Sequence, residues 1–315
     1  MCACCHRWAG AAYLPLIPPY DIAGTALRLF RPSKFSLCNV ISTMIKSAVT
    51  VSLVEQARKG PFVFHDDLPA ACRAAAELGF DAIELFAPSA DIIRALPLAA
   101  LLSTHGLKLA AVGTGAGMVV HKLSLCDADA NRRTLAIRFI RDIISAGSEY
   151  GAPAIIGSMQ GRWDETVDQQ TATSYLRDAL QQLGDHAHRS GVVLHYEPLN
   201  RYETNMATTL AAGAELLSPL ATKQIRLLAD LFHMNIEETS IAGALREAGS
   251  LVGHVHFVDS SRQAAGRAHM DYAPIVAALA EIHYEGYASA EAFPIPDSMT
   301  AARQTIETFR RCFPK

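Results

Sequence analysis

Residues 192–205 read VVLHYEPLNRYETN. An apolar, β-branched run that only packs stops at a Gly or Asn turn. This one delivers Glu197 to its last position and runs on through proline, asparagine and arginine to a second carboxylate, Glu203. A carboxylate ending a buried strand is costly unless it is paired, hydrated or bound to a metal. The pattern repeats downstream: IRLLAD (225–230) ends on Asp230, LVGHVHFV (251–258) carries His254 and His256, and GYASAE (286–291) ends on Glu291.

Working back from these strands, the spacing predicts four more at 47–54, 81–86, 108–113 and 153–157, alternating with helices such as 67–79, 129–150, 168–189, 207–217, 237–249, 272–283 and 298–312. The stretch DLPAACRAAAELG (67–79) has an acid at its start and a glycine at its end, the usual helix boundaries. Eight strand–helix units in about 270 residues predict a single (β/α)₈ TIM barrel, α/β in class. An open doubly wound sheet is the alternative, but EQARKGPFVFHDD after the first strand is not a phosphate loop. GTGAG (113–117) reads as a flexible rim loop, since no helix is expected directly behind it.

The chain has 315 residues, half of them hydrophobic, and a net charge of −3. That is enough for a barrel-sized core, and the charge argues against a nucleic-acid partner. No apolar run is long enough to cross a bilayer, so no membrane partner is expected. The seven cysteines suit reduced thiols in a cytoplasmic enzyme better than a disulfide framework. Residues 1–43 lack the rhythm of the remainder. They read as an N-terminal extension, poorly ordered or upstream of a natural start at Met44, before a barrel over 44–315.

Chemistry in such a barrel gathers at the C-terminal strand ends. Glu197, Asp230, His256 and Glu291 would converge there on successive strands. Three carboxylates at close range raise one another's pKa values, and a divalent cation resolves the conflict. Oxygen-rich ligation with one imidazole suits one Mn²⁺ per chain, with Mg²⁺ or Co²⁺ as alternatives. His256 lies nearer the rim and is expected as the ligand. His254, one layer deeper, is expected to pack or to support it. Glu84, in the second strand, either faces the pocket as a substrate contact or pairs with a neighbouring basic group.

The stretches HYEPLNRYETN (195–205), ADLFHMNIEE (229–238), GHVHFVDSSR (253–262) and YASAEAF (287–293) resemble the sugar isomerase/epimerase superfamily with its xylose-isomerase-like barrel. Within it they are most similar to ketose 3-epimerases of the D-tagatose/D-psicose (allulose) type. The resemblance is dense over 190–295 and diffuse over 44–160. It implies a metal-dependent sugar epimerase that works through an enediolate, with Glu197 and Glu291 as the acid/base pair. It also implies substrate contacts at Glu203, His233 and Arg262, and a homo-oligomer, dimer or tetramer. Rim stretches 113–125 and 157–163 leave room for a larger substrate, so epimerases of keto-glycosides or sugar acids, and hydroxypyruvate-type isomerases, are the alternatives. A phosphosugar would have only Lys122 and Arg162 as obvious cations. An abasic-DNA endonuclease of the same barrel type would need further metals and a basic stripe.

Overall fold

The computed structural model describes residues 45–314. Strand β1 (Lys46–Ser52) is buried at every position but the first, its Ser47, Thr50 and Ser52 included, as expected of a strand covered on both faces. It pairs in parallel with β2 (Ala82–Phe86), and the series continues through β3 (Lys108–Gly113), β4 (Ala154–Ile156), β5 (Leu194–Tyr196), β6 (Ile225–Asp230), β7 (Val252–His256) and β8 (Tyr287–Ala290). β8 returns to pair with β1, Lys46 opposite Tyr287 and Val49 opposite Ala290, which closes the barrel. The eight strands fall where the sequence placed them, the first beginning one residue earlier and most other ends trimmed by a residue or two.

A two-residue strand, Phe64–His65, was not foreseen. It pairs with Val51 and Ser52, above the level where β8 leaves β1. Two residues carry no readable period. The rim at 113–117 also differs from expectation, because a short helix, Ala116–His121, opens inside it. Thr114 ties that corner down by donating to the Ile155 carbonyl at 2.7 Å.

The helices form the outer layer, and local chemistry sets their ends. Asp67 accepts from the Ala70 N–H and starts the helix Leu68–Leu78, while Gly79 at φ 82° ends it in the left-handed conformation. Long helices Ala130–Ser148, Gln169–Arg189 and Ser298–Cys312 bury Ile140, Leu176 and Ile306 against the strands. The main core therefore lies between strands and helices. Ala48, Ala82 and Leu228 stand two residues before Thr50, Glu84 and Asp230 and so point the same way, filling the barrel axis beneath them. Among the described residues, Cys72, Cys126 and Cys312 are free thiols, and no helix is long and apolar enough to cross a membrane. The expected extension over 1–43 lies outside the described residues.

Candidate metal centre and acid–base site

Four strand ends deliver four side chains to one point. Glu197 is the first residue beyond β5, and its N–H still donates to the Ile156 carbonyl at 3.0 Å. Asp230 closes β6 and caps the helix Leu231–Glu237. Its Oδ1 accepts from the N–H groups of Phe232 and His233, leaving Oδ2 free to turn inward. His256 closes β7 directly opposite Asp230 in register, and Glu291 follows β8. His256 Nδ1 lies 3.1 Å from Asp230 Oδ2, 3.4 Å from Glu197 Oε1 and 3.6 Å from Glu291 Oε2. One potential ligand atom from each of the four lies within 4.8 Å of the others.

The electrostatics fit a cation-binding donor set. Glu197 Oε1 is buried with no hydrogen-bond partner. Burial, together with the charges of Glu197 and Asp230, pushes the Glu291 carboxyl up to about 7 despite His256 and Arg262. Burial opposes protonation of His256, yet the neighbouring carboxylates of Glu291, Glu84, Asp230 and Glu197 outweigh it and raise its pKa well above the usual imidazole value. Burial likewise works against ionised Asp230, but His233, His256 and Arg262 hold its carboxyl below the ordinary range. Three carboxylate oxygens and one imidazole nitrogen, one of those oxygens unpartnered, make a donor set that could hold Mn²⁺ or a similar divalent ion.

The residues implied as substrate contacts surround this point. Arg262 bridges Glu291 at 2.8 Å and Glu203 at 3.0 Å, and its guanidinium lies 4.9 Å from the centre of the Phe232 ring. It adopts φ 57°, a conformation uncommon for a side-chain-bearing residue and one met at functional sites. His233 accepts the Asn200 N–H at Nδ1, so its proton sits on Nε2, 3.9 Å from Glu197 Oε1. Its 3.5 Å approach to Arg262 is then a contact between two donors rather than a bond. The Asn200 amide also donates to Glu203.

Glu84 is engaged on both of its oxygens. It borders the cavity, but its Oε2 meets His254 Nε2 at 2.8 Å and its Oε1 meets His256 Nε2 at 3.2 Å. Of the two sequence readings, pairing with a basic neighbour is the one this geometry supports. Below it, the His254 ring lies 5.4 Å from that of His195, whose pKa burial depresses strongly.

Gln160 and Tyr196 escaped the sequence reading. The Gln160 amide donates to the carbonyls of Glu197 at 2.9 Å and Gly157 at 3.1 Å, and its oxygen accepts from the Tyr196 hydroxyl at 2.6 Å. Gln160 lies inside the rim stretch GSMQGRW, where only its position next to β4 offered a hint. The site opens into a cavity of 420 Å³ whose far wall is the segment 56–62 with Phe86 and Val119. Lys59 lines it, whereas Lys122 and Arg162 do not.

The chain is similar to known proteins over most of this barrel. A family model described as the xylose isomerase-like TIM barrel matches residues 72–312. A D-psicose 3-epimerase of Ruminiclostridium cellulolyticum is 30% identical over 227 residues, 69% of this chain and 75% of that protein. A 3-dehydro-D-guloside 4-epimerase of Escherichia coli is 30% identical over 190 residues, 58% of this chain and 72% of its own length. A crystal structure of a D-psicose 3-epimerase determined with D-fructose superposes with a TM-score of 0.70 at 22% identity, covering 86% of this chain and all of that one. With its closed eight-stranded barrel and a match spanning most of its length, the chain belongs to the xylose isomerase-like TIM barrel family.

Proposed function

We propose that the protein is a metal-dependent ketose 3-epimerase that inverts a carbon beside a carbonyl by deprotonation and reprotonation. One observation carries this reading: two carboxylates, Glu197 and Glu291, approach the same nitrogen, His256 Nδ1, to 3.4 and 3.6 Å from two different strand ends. Epimerisation through a planar enediolate needs one proton-transfer group on each face. Glu197, Asp230, His256 and Glu291 would hold a divalent cation, in our reading Mn²⁺, which would supply Lewis-acid polarisation of the substrate carbonyl.

The chain's own groups do the rest. Glu197 removes the proton from carbon on one face, and Glu291 returns one to the other. Gln160 fixes the backbone that carries Glu197. Arg262 holds Glu291 in place and offers guanidinium donors to the substrate oxygens. The Nε2 proton of His233 is aimed at the same space, where it stabilises negative charge developing on oxygen. Glu203, already oriented by Asn200 and Arg262, accepts from a sugar hydroxyl.

The test uses D-fructose, D-tagatose and a 3-keto-glycoside as substrates in D₂O, with the Mn²⁺-loaded enzyme. Product should carry deuterium at the inverted carbon, and Glu197→Gln at equal metal occupancy should lower kcat by about 10²–10⁴. Normal turnover by that variant would overturn the assignment. The E. coli relative acts as a 4-epimerase of a dehydro-guloside, so turnover of the keto-glycoside alone would favour that second reading with the same two carboxylates.

A further inference from the structure

Glu84 remains unassigned by the chemistry above, although it is buried and both its oxygens are engaged. We propose that Glu84 is a positioning residue of the metal centre: it clamps His254 and His256 with one oxygen each and so presents His256 Nδ1 to the cation. The proposal rests on the metal-centre reading given above.

A neutral imidazole has one N–H and one lone pair. Nε2 of His256 faces an acceptor, Glu84 Oε1, at 3.2 Å, and this places the proton there. The lone pair is left on Nδ1, the nitrogen facing Asp230, Glu197 and Glu291. A carboxylate on the far nitrogen also makes the ring a better donor to a metal. His254 completes the clamp. By occupying Oε2 at 2.8 Å, it prevents the carboxylate from turning up toward the cation. The backbone of Glu84 is equally fixed, in register between Thr50 and Ala111.

A competing reading exists, because Glu84, His254 and His256 are themselves close enough to hold an ion. His256 would then have to lose both ring protons and bridge two cations. Hydrogen bonding from two neutral imidazoles to one carboxylate needs no such step.

The experiment measures Mn²⁺ binding to metal-free parent protein and to Glu84→Gln by calorimetry, with elemental analysis for stoichiometry. Glutamine keeps the shape, but its single carbonyl oxygen accepts from only one of the two histidines. The expected result is one ion per chain in both proteins, with a Kd about 10- to 100-fold weaker in the variant. A merely structural role would lower the melting temperature of the metal-free variant and leave Kd unchanged, and that outcome overturns the proposal. Two ions in the parent and one in the variant would make Glu84 a ligand and overturn it as well. Parent protein that binds no ion would refute the metal-centre reading itself, and the positioning role with it. Should Glu84→Gln not fold, ¹⁵N spectra of Mg²⁺-loaded parent decide. His256 should be protonated on Nε2, and the opposite tautomer refutes the clamp.

Discussion

Replacing Gly157 with alanine perturbs Glu197 without touching its charge. A Cβ at position 157 would sit 2.5 Å from Glu197 Oε2. Carbon–oxygen contacts of this kind settle at about 3.3 Å or more, so the carboxylate would have to retreat by about 0.8 Å. It has little room to do so. The Glu197 N–H is bonded to Ile156 and its carbonyl to Gln160, so the backbone does not yield. On the other side of the carboxylate stand His256 Nδ1 at 3.4 Å and His233 Nε2 at 3.9 Å. The shift therefore falls on the acid–base geometry. A misplacement of about 1 Å at such a group costs about 10²-fold in rate, equivalent to about 2.7 kcal/mol. The assay is kcat of Gly157→Ala at saturating Mn²⁺, with metal content determined on the same sample. Unchanged turnover at full occupancy would refute the argument that this glycine exists to seat Glu197.

Three further outcomes are expected. Cation affinity should rise steeply from about pH 5 to 8, because the protons on Glu291, near 7, and on His256 must both leave before an ion binds. In the metal-free chain the sign is reversed. Glu291, raised from 4.5 to about 7, costs stability progressively across that interval, and His256 contributes stability that is lost as pH rises past its folded value. The buried His195, whose depressed pKa costs stability as pH falls below 6.5, opposes these two groups, so the outcome to read by scanning fluorimetry is the gain on adding Mn²⁺, which should grow with pH. A chain begun at Met44 should keep its fold, metal content and turnover, as checked by circular dichroism, elemental analysis and kinetics. Loss of any one would make the preceding residues part of the working barrel.

Much of the site was legible because a carboxylate at the end of an apolar run contradicts its surroundings. Glu197, Asp230 and Glu291 each announce themselves this way, and the two-residue spacing of His254 and His256 set their depth. What stayed hidden depends on partners distant in sequence. The two histidines that engage Glu84 are 170 and 172 residues away, and the Gln160 amide reaches a carbonyl 37 residues on. No local pattern encodes such pairs, since they exist only once the barrel closes. Asn200 was visible within the quoted stretch, but its double engagement of His233 and Glu203 needed the turn that follows β5. The Phe64–His65 strand was too short to have a period at all.

That short strand has a consequence for how such a protein can change over time. The segment between β1 and Phe64 is suspended from paired backbone at both ends, and its residues 56–62 form the wall of the cavity opposite the acid–base groups. The proposed acid–base and metal-binding groups stand instead at the ends of β5 to β8. Substitutions or length changes in the suspended segment can therefore reshape what fits while Glu197 and Glu291 stay where they are. A directed-evolution library aimed at new sugars belongs in residues 55–62, with the second half of the barrel left alone.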